Sequence, residues 1–476
     1  MQQMTQYVST RGGINPVNFS NTVLMGQASD GGLIVPRELS SFSSNELAMM
    51  VGLPFHHVAC LVLKKLGLDI PHRDIWDMTR AVFNPFVFQN VSEGDNPIDI
   101  VPVKKIGAER YLVRLSNGPT LAFKDIGLQL LGNLFEYLLK GGQSTLNILG
   151  ATSGDTGTAT IYAMLNKKGI RVFMISPLYG MSSFQQGHMR GVDDPMIHNI
   201  AINGSFDDGQ RPVKAIFNDL EFKEKYHLGA VNSINWARIA AQVIYYVWAY
   251  VQVEGGNGNQ VDFAVPTGNF GDIFAGDMAR KLVPSIRRLI LATNENDVLH
   301  QFYTTGIYRP RAETIITTSP SMDITEASNF ERYIYYLLRE DSDHVRKLWD
   351  TLEVKGSINL IRYMPEILAT NIVSESVSTK QCHSAIAHIY DSQRIIIDTH
   401  TAVAMQAAFV HQRRDGVPML VLETAQPCKF DETIIKVLGR PAPRPQTFVD
   451  IEDRIQKFTV LPTDPEEIKS FIASKV

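Results

Sequence analysis

The chain has 476 residues, 44% of them hydrophobic, which is an ordinary globular composition with enough core for two or three domains. Its 45 Lys and Arg residues against 49 Asp and Glu residues leave a net charge of -4, so no basic footprint for nucleic acid is present. The three cysteines, Cys60, Cys382 and Cys428, form no C-x-x-C pair. They favour a reducing compartment, with the cytosol as the expected location, over a disulfide framework.

Residues 1–95 mix Gly/Asn/Ser loops with helical patterns and are predicted to form a separate N-terminal lobe. His56 and His57 precede Cys60 in this lobe. Neighbouring histidines point to different sides of a helix, and no second pair of ligands follows. We therefore expect no metal site.

Lys124 follows the apolar residues Leu121, Ala122 and Phe123. A lysine on an ordinary surface, with a pKa of about 10.4, is a cation and a poor nucleophile. Apolar packing disfavours the ammonium form, and the free amine can then attack an aldehyde. The alternative is a solvated lysine at a helix start, beside Asp125.

From residue 96 onward, short apolar strands alternate with amphipathic helices. A strand at 146–149 leads into a loop at 150–157, then a helix, then a strand at 170–175. This order predicts a βαβ unit with a parallel sheet. We assign residues 96–254 to a first α/β half.

The most apolar long segment is 239–253. It is shorter than the roughly 20 residues of a membrane-spanning helix, and it contains Gln242 and Gln252. We therefore expect a buried helix and no membrane association.

A Gly/Asn-rich break at 255–259 opens a second α/β half, assigned to residues 255–476. Its strand at 261–265, loop at 267–272, amphipathic helix and strand at 289–293 repeat the βαβ order. Ligands of such folds bind at the carboxyl ends of the strands, where the loops lead into helices. The loops of both βαβ units are in that position.

The loop 267–272 offers consecutive backbone N–H groups, with Gly268 and Gly271, in front of a helix N-terminus. Such a loop is an anion site that suits phosphate, although a plain tight connection is the alternative. The chain has no G-x-x-x-x-G-K-[ST] and no G-x-G-x-x-G that opens a dinucleotide unit. The phosphate is therefore not expected to be that of a nucleotide.

The loop 151–157 has the same strand-to-helix setting and adds the hydroxyls of Thr152, Ser153 and Thr156. Its donors suit a substrate carboxylate or phosphate. A helix N-cap also selects Ser, Thr or Asp, but capping explains one of these residues rather than the whole run.

Motifs in one family's order span nearly the whole chain: YVSTRG at 7–12, DGGL at 30–33, PTLAFKD at 119–125, TSGDTG at 152–157, NSIN at 232–235, PTGNFGD at 266–272, SMDI at 321–324, HTA at 400–402 and ETA at 423–425. In these motifs the chain resembles threonine synthases. The resemblance implies an α/β chain of the tryptophan synthase β-like fold (PLP fold type II), with two open twisted α/β domains plus an N-terminal lobe. It also implies pyridoxal 5'-phosphate as the cofactor.

The resemblance makes Lys124 the catalytic Schiff-base lysine and proton carrier. It further implies that Thr424 faces the pyridine nitrogen, where a neutral hydroxyl moderates the electron-sink strength of the cofactor. The implied cofactor-binding residues are Lys124, Gly268, Asn269, Phe270, Gly271, Asp272 and Thr424.

The resemblance also assigns the loop 151–157 to the amino-acid substrate. The substrate-binding candidates are Thr152, Ser153, Gly154, Asp155, Thr156, Asn232, Ser233 and Arg238. Of these, Asn232, Ser233 and Arg238, together with Asn235, are weaker candidates for the substrate phosphate. Asn235 and Arg238 have the alternative of satisfying helix ends and the surface.

One departure concerns the segment after Thr424, where the family usually has a histidine and this chain has Gln426. A histidine role there is lost. This puts fine tuning around the cofactor ring in doubt, but not cofactor binding.

The resemblance implies conversion of O-phospho-L-homoserine and water to L-threonine and phosphate. Two alternatives stay open: a threonine-synthase-like phospholyase that releases 2-oxobutanoate, and a catalytically inactive cofactor-binding protein. The expected partners are small molecules, without nucleic acid, membrane or metal. The chain is expected to be a monomer or a small homo-oligomer.

Overall fold

The structure, a computed structural model, describes residues 5–92, 94–140 and 145–476. Residues 1–4 of the predicted N-terminal lobe lie outside the described residues. The helices in the described part are α1 Phe19–Met25, α2 Ser44–Ala48, α3 Phe55–Lys65, α4 His72–Val82, α5 Lys124–Leu139, α6 Asp155–Met164, α7 Ser183–Arg190, α8 Phe206–Asn218, α9 Leu220–Lys225, α10 Trp236–Glu254, α11 Gly271–Leu282, α12 Val298–Thr305, α13 Phe330–Leu337, α14 Ser342–Lys355, α15 Met364–Ala369, α16 Thr379–Gln393, α17 Thr399–His411, α18 Asp431–Leu438 and α19 Pro465–Lys475.

The strands are short and mostly buried. In chain order they are β1 Tyr7–Ser9, β2 Ile34–Pro36, β3 Val103–Lys105, β4 Arg110–Arg114, β5 Leu146–Ala151, β6 Ile170–Pro177, β7 Ile197–Ile202, β8 Leu228–Gly229, β9 Val261–Pro266, β10 Ile286–Thr293, β11 Ile307–Tyr308, β12 Ile358–Asn359, β13 Ile372–Ser376, β14 Met419–Glu423 and β15 Thr459–Leu461.

The chain folds as two compact units built from non-consecutive segments. The first unit consists of Met1–Asn117 and Ser233–Pro443, and the second of Gly118–Asn232 and Arg444–Val476. The consecutive ranges expected from the sequence, 1–95, 96–254 and 255–476, stay a prediction.

The first unit contains a sheet in the order β13-β10-β9-β14-β4-β3. Its strands are parallel except for β3, which pairs antiparallel with β4. β9 is buried along its whole length, as expected for a central parallel strand. The succession of β9, α11 and the parallel strand β10 confirms the second predicted βαβ unit.

The second unit contains a parallel sheet in the order β15-β7-β6-β5-β8. The succession of β5, α6 and the parallel strand β6 confirms the first predicted βαβ unit. Phe173 and Ile200 on the sheet, Ile216 on α8 and Ile472 on α19 belong to one buried apolar cluster. The C-terminal helix is thus part of this core.

The apolar segment 239–253 lies within α10, as predicted. Asn235 caps this helix by accepting the N–H of Ala237 at 3.0 Å, and Gly255 ends it in the left-handed conformation. Most of the helix is buried in the first unit. Nowhere in the described residues is there a helix with the length and apolar character to cross a membrane.

Candidate active site

The turn that precedes Lys124 is shaped by the buried carboxylate of Asp125. Asp125 accepts the backbone N–H of Thr120 at 2.8 Å and its hydroxyl at 2.7 Å. Leu121 adopts a left-handed conformation with φ of 56°, which is unusual for a residue with a branched side chain. A Cβ on Gly118 would collide with Asp125, so this position requires glycine. This turn leads directly into α5, whose first residue is Lys124.

Lys124 is largely buried, with its side chain 14% exposed. Its Nζ lies 3.7 Å from Oδ2 of Asp155, the first residue of α6, whose side chain is 8% exposed. The burial excludes a freely solvated lysine. Within the second unit, the structure therefore brings together the predicted catalytic amine and one of the predicted substrate-loop residues.

The substrate loop is held in shape by Thr152. Its buried hydroxyl accepts the N–H groups of Gly154 at 3.0 Å and Gly157 at 2.9 Å. Ser153 is exposed and Thr156 is half-buried. The hydroxyl of Thr152 thus organises the backbone, and the Ser153 hydroxyl is the accessible one.

In the first unit, the loop between β9 and α11 adopts the tight strand-to-helix turn expected for an anion site. Phe270 directly precedes α11 with φ of 64°. A Cβ on Gly268 would lie 3.0 Å from the backbone oxygen of Ser321 and 3.2 Å from Cα of Met322. Glycine at this position lets the segment around Ser321 pack directly against the loop.

The loop fits a phosphate group. Across the described chain, the backbone N–H groups from residue 268 to 272 donate to no protein acceptor. They stand at the N-terminus of a helix of 12 residues, where the helix dipole favours an anion. Consecutive free donors of this kind are the arrangement that binds phosphate.

The polar groups around Asn269 fix the same loop. Asn329 donates to the backbone oxygen of Asn269 from its N–H at 3.0 Å and from Nδ2 at 3.1 Å. The Ser328 hydroxyl donates to Oδ1 of Asn269 at 3.2 Å and lies 3.1 Å from the Ser233 hydroxyl. The structure therefore brings Ser233, a predicted substrate residue, to the predicted cofactor loop.

Asp272 is a buried carboxyl held by two tyrosines. The hydroxyls of Tyr245 and Tyr246 donate to its Oδ1 at 2.5 and 2.8 Å, and Oδ2 has no partner among the described residues. Burial raises the pKa of Asp272 to about 7, against the opposing effect of the tyrosine bonds. The backbone N–H of Asp272, which has no acceptor among the described residues, is the group that suits the predicted phosphate contact.

The tyrosine pair was not predicted from the sequence. The available signal was two adjacent tyrosines inside an apolar helix, since buried tyrosine hydroxyls usually require a hydrogen-bond partner.

Thr424 directly follows β14 and is 5% exposed. Its hydroxyl bonds to no other residue in the described part of the chain, so it stays available to a ligand. Gln426, at the place of the family histidine, donates from Nε2 to the backbone oxygens of Asn90 and Ser116, the latter at 3.2 Å. Gln426 thus fixes the segment after Thr424.

The other predicted substrate residues differ in their surroundings. Asn232 is exposed. Asn235 caps α10 and donates from Nδ2 to the backbone oxygen of Val23 at 3.0 Å, which supports its structural alternative. Arg238 is buried in α10 rather than on the surface, and burial lowers its pKa to about 10.

Comparison with known proteins gives consistent matches along the chain. The family descriptions "Threonine synthase N terminus", "Pyridoxal-phosphate dependent enzyme" and "Threonine synthase, C-terminal" match residues 6–83, 91–418 and 401–472. The chain is 45% identical to threonine synthase of Methylobacillus glycogenes, over 99% of this chain and 100% of that protein. It is 43% identical to threonine synthase of Corynebacterium glutamicum, over 99% and 98% of the two chains.

The chain belongs to the threonine synthase family. Its structure also matches the crystal structure of PLP-bound threonine synthase from Brucella melitensis, with a TM-score of 0.93, 34% identity and 99% of each chain covered.

Membership of the threonine synthase family confirms the predicted resemblance, the tryptophan synthase β-like fold and pyridoxal phosphate as the cofactor. The chain is a pyridoxal-phosphate-dependent lyase of threonine biosynthesis. The individual site residues stay predictions.

Replacing Gly268 with alanine is expected to weaken pyridoxal phosphate binding about ten-fold, equivalent to ~1.4 kcal/mol. The added Cβ would meet backbone atoms of Ser321 and Met322, which cannot rotate away. Fluorescence titration of cofactor-free protein measures the Kd. In the control Gly107→Ala, the added Cβ would meet only Cβ of Arg110 at 3.7 Å, so the Kd should not change. Equal Kd values for Gly268→Ala and the unmodified protein would contradict the close packing.

Replacing Asp272 with asparagine is expected to change how stability depends on pH. With a pKa of about 7 in the fold and about 3.9 when unfolded, Asp272 is protonated more in the folded state, so its contribution to stability falls as pH rises between these values. Asparagine does not ionise, so the variant does not lose stability in this way. The thermal midpoint of the variant should therefore rise relative to that of the unmodified protein between pH 5 and 7, and the difference between the two should stay constant above pH 7. Parallel pH profiles would show that Asp272 ionises normally.

Proposed function

We propose that the protein converts O-phospho-L-homoserine and water to L-threonine and phosphate, using pyridoxal phosphate. The main support for this proposal is the largely buried Lys124 beside Asp155. It lies in a chain that matches the threonine synthase family from residue 6 to residue 472. A largely buried amine beside a carboxylate suits a reactive lysine.

We assign the cofactor contacts as the sequence predicted them. Lys124 carries the cofactor through its amine, and the loop 268–272 holds the cofactor phosphate through backbone N–H groups. Thr424 faces the pyridine nitrogen with its unbonded hydroxyl. Among the described residues, neither the N–H groups of the loop nor the Thr424 hydroxyl has a hydrogen-bond acceptor or donor in the protein, and both observations support this assignment.

When bound, pyridoxal phosphate supplies an electron sink that stabilises negative charge beside the substrate amino group. The Lys124 amine then serves as the base that removes a proton from Cα and afterwards from Cβ. Phosphate leaves with the electron pair of the Cγ–O bond and takes up one proton. The oxygen of water bonds to Cβ as one of its O–H bonds breaks, and the two protons removed from Cα and Cβ are replaced by protons delivered to Cα and Cγ. The carboxylate of Asp155, 3.7 Å from Nζ, stabilises the protonated lysine between these transfers.

The substrate carboxylate is assigned to the loop of Thr152, Ser153, Gly154, Asp155 and Thr156. The N–H groups of Ser153 and Thr156 have no acceptor among the described residues, and the Ser153 hydroxyl is exposed. For the substrate phosphate we retain Asn232, Ser233 and Arg238. The buried guanidinium of Arg238 and the proximity of Ser233 to the Asn269 loop favour these two.

We also retain the expected setting of the enzyme. The cysteines Cys60, Cys382 and Cys428 are free and buried, which fits a reducing compartment such as the cytosol. The partners are the small-molecule substrate and water, without nucleic acid. A monomer or small homo-oligomer and the three consecutive domain ranges remain part of the proposal.

A product assay tests the proposal. Incubation with O-phospho-L-homoserine should release L-threonine and phosphate in equal amounts, measured by amino-acid chromatography and a phosphate assay. Lys124→Ala should lower the rate by about 10³-fold or more, since it removes the proposed proton carrier. Lys167 is a matched control, because it is also a largely buried lysine of the second unit, paired with Glu136 at 3.5 Å; Lys167→Ala should keep the rate within a few-fold.

Two results of this assay would reject the proposed function. Release of 2-oxobutanoate in place of threonine would identify the phospholyase alternative. Equal rates for Lys124→Ala and the unmodified protein, or absence of any product, would favour a protein in which Lys124 has no catalytic role.

A further inference from the structure

Asp398 is a fully buried carboxylate in the first unit, at 0% exposure. It is the N-cap of α17, and its Oδ1 accepts the N–H of His400 at 2.8 Å. A helix cap needs only one side-chain acceptor, and a neutral serine provides it for α2, α7, α8 and α16. Burying a charged cap is costly unless additional bonds compensate. Asp398 makes two such additional bonds, one to the imidazole of His400 and one to the hydroxyl of Thr401.

The first direction leads to the phosphate loop. Nδ1 of His400 lies 3.0 Å from Oδ1 of Asp398, and Nε2 of His400 lies 3.1 Å from the backbone N of Ser321. Because Nε2 accepts from that N–H, Nδ1 carries the proton and donates it to Asp398. The backbone of Ser321 and Met322 forms the wall against which Gly268 packs. Asp398 therefore supports one side of the phosphate loop through a single imidazole.

The second direction leads to Thr424. The hydroxyl of Thr401 donates to Oδ2 of Asp398. The backbone N–H of Thr424 donates in turn to the Thr401 hydroxyl at 3.3 Å. This chain of bonds fixes the backbone of the residue assigned to the pyridine nitrogen, while leaving its own hydroxyl unused.

We propose that Asp398 is a positioning residue that holds both ends of the cofactor site, the phosphate loop through His400 and the Thr424 backbone through Thr401. The inference rests on the proposed function, because the assignments of the phosphate loop and Thr424 belong to it. The two oxygens of this one carboxylate serve two separable arms, which are the bonds through His400 to Ser321 and the bonds through Thr401 to Thr424. Asparagine in place of Asp398 would keep the cap but offer a single acceptor.

The affinities of the protein and its variants for two probes distinguish the His400 arm from the Thr401 arm. The probes are pyridoxal phosphate and pyridoxal, which lacks the phosphate, and the ratio of their Kd values measures the phosphate contribution. Thr401→Val removes the hydroxyl at nearly constant shape, and His400→Leu removes the imidazole. Asp398→Asn keeps the oxygen that serves both the cap and His400 but removes the acceptor for Thr401. Ser378→Ala removes the serine cap of α16 and controls for the loss of a helix cap alone.

His400→Leu should lower the preference for pyridoxal phosphate over pyridoxal about five-fold, as expected for one lost buried hydrogen bond. Thr401→Val should weaken both probes by a similar factor, keep the preference, and shift the absorption maximum of the bound cofactor. Asp398→Asn should behave like Thr401→Val, because only the acceptor for Thr401 is lost, and Ser378→Ala should show neither effect. A general loss of stability would not change the absorption maximum of the bound cofactor in one variant and the ratio of the two Kd values in the other.

An unchanged preference in His400→Leu, or an unchanged absorption maximum together with unchanged affinities in Thr401→Val, would overturn the two-arm role of Asp398. If the unmodified protein itself binds both probes equally, the phosphate-loop assignment fails and the inference fails with it. Should Asp398→Asn not fold, the two single-arm variants still decide.

Discussion

Within the described part of the chain, the backbone N–H groups from Gly268 to Asp272 donate to no protein acceptor, and the structure around the cofactor loop depends on this constraint. Unpaired donors cost free energy unless water or a ligand accepts from them, and successive donors at one helix end attract an anion more strongly than isolated ones. The chain leaves them free because Phe270 turns into the left-handed conformation and α11 starts immediately afterwards. A parallel βαβ unit presents this helix end at the carboxyl edge of its sheet.

The surroundings of the loop stabilise that geometry without occupying its donors. Asn329 bonds to the carbonyl of Asn269 and not to its N–H. Asp272 is bonded to Tyr245 and Tyr246, and burial raises the pKa of this carboxyl to about 7, which disfavours its charged form. Less negative charge therefore stands beside an incoming phosphate. The neighbouring side chains thus fix the backbone and limit electrostatic repulsion.

The βαβ units and the two loops could be predicted from the sequence because the patterns that indicate them lie within short segments. Alternating strand and helix patterns predicted both βαβ units, and the residue types around Lys124 and in the loop 267–272 predicted their chemistry. Contacts between distant residues have no comparable local signal. The bonds of Tyr245 and Tyr246 to Asp272 span 27 and 26 positions, and that of Ser321 to His400 spans 79. Asp398 was not singled out from the sequence, because its bonds depend on how β14 is placed beside α17.

The division of the chain into two compact units also depends on contacts between residues that are distant in the sequence. Sheet pairing joins β4 to β14, strands more than 300 positions apart, and β7 to β15. Periodicity identifies such strands but not their partners, so the pairing of strands that are distant in the sequence could not be predicted.

A crystal structure of the protein with pyridoxal phosphate tests the proposed cofactor site most directly. We expect phosphate oxygens within hydrogen-bond distance, about 2.7–3.2 Å, of the N–H groups between Gly268 and Asp272, with density continuous from Nζ of Lys124 to the cofactor. A phosphate bound elsewhere, or a cofactor joined to another lysine, would contradict it.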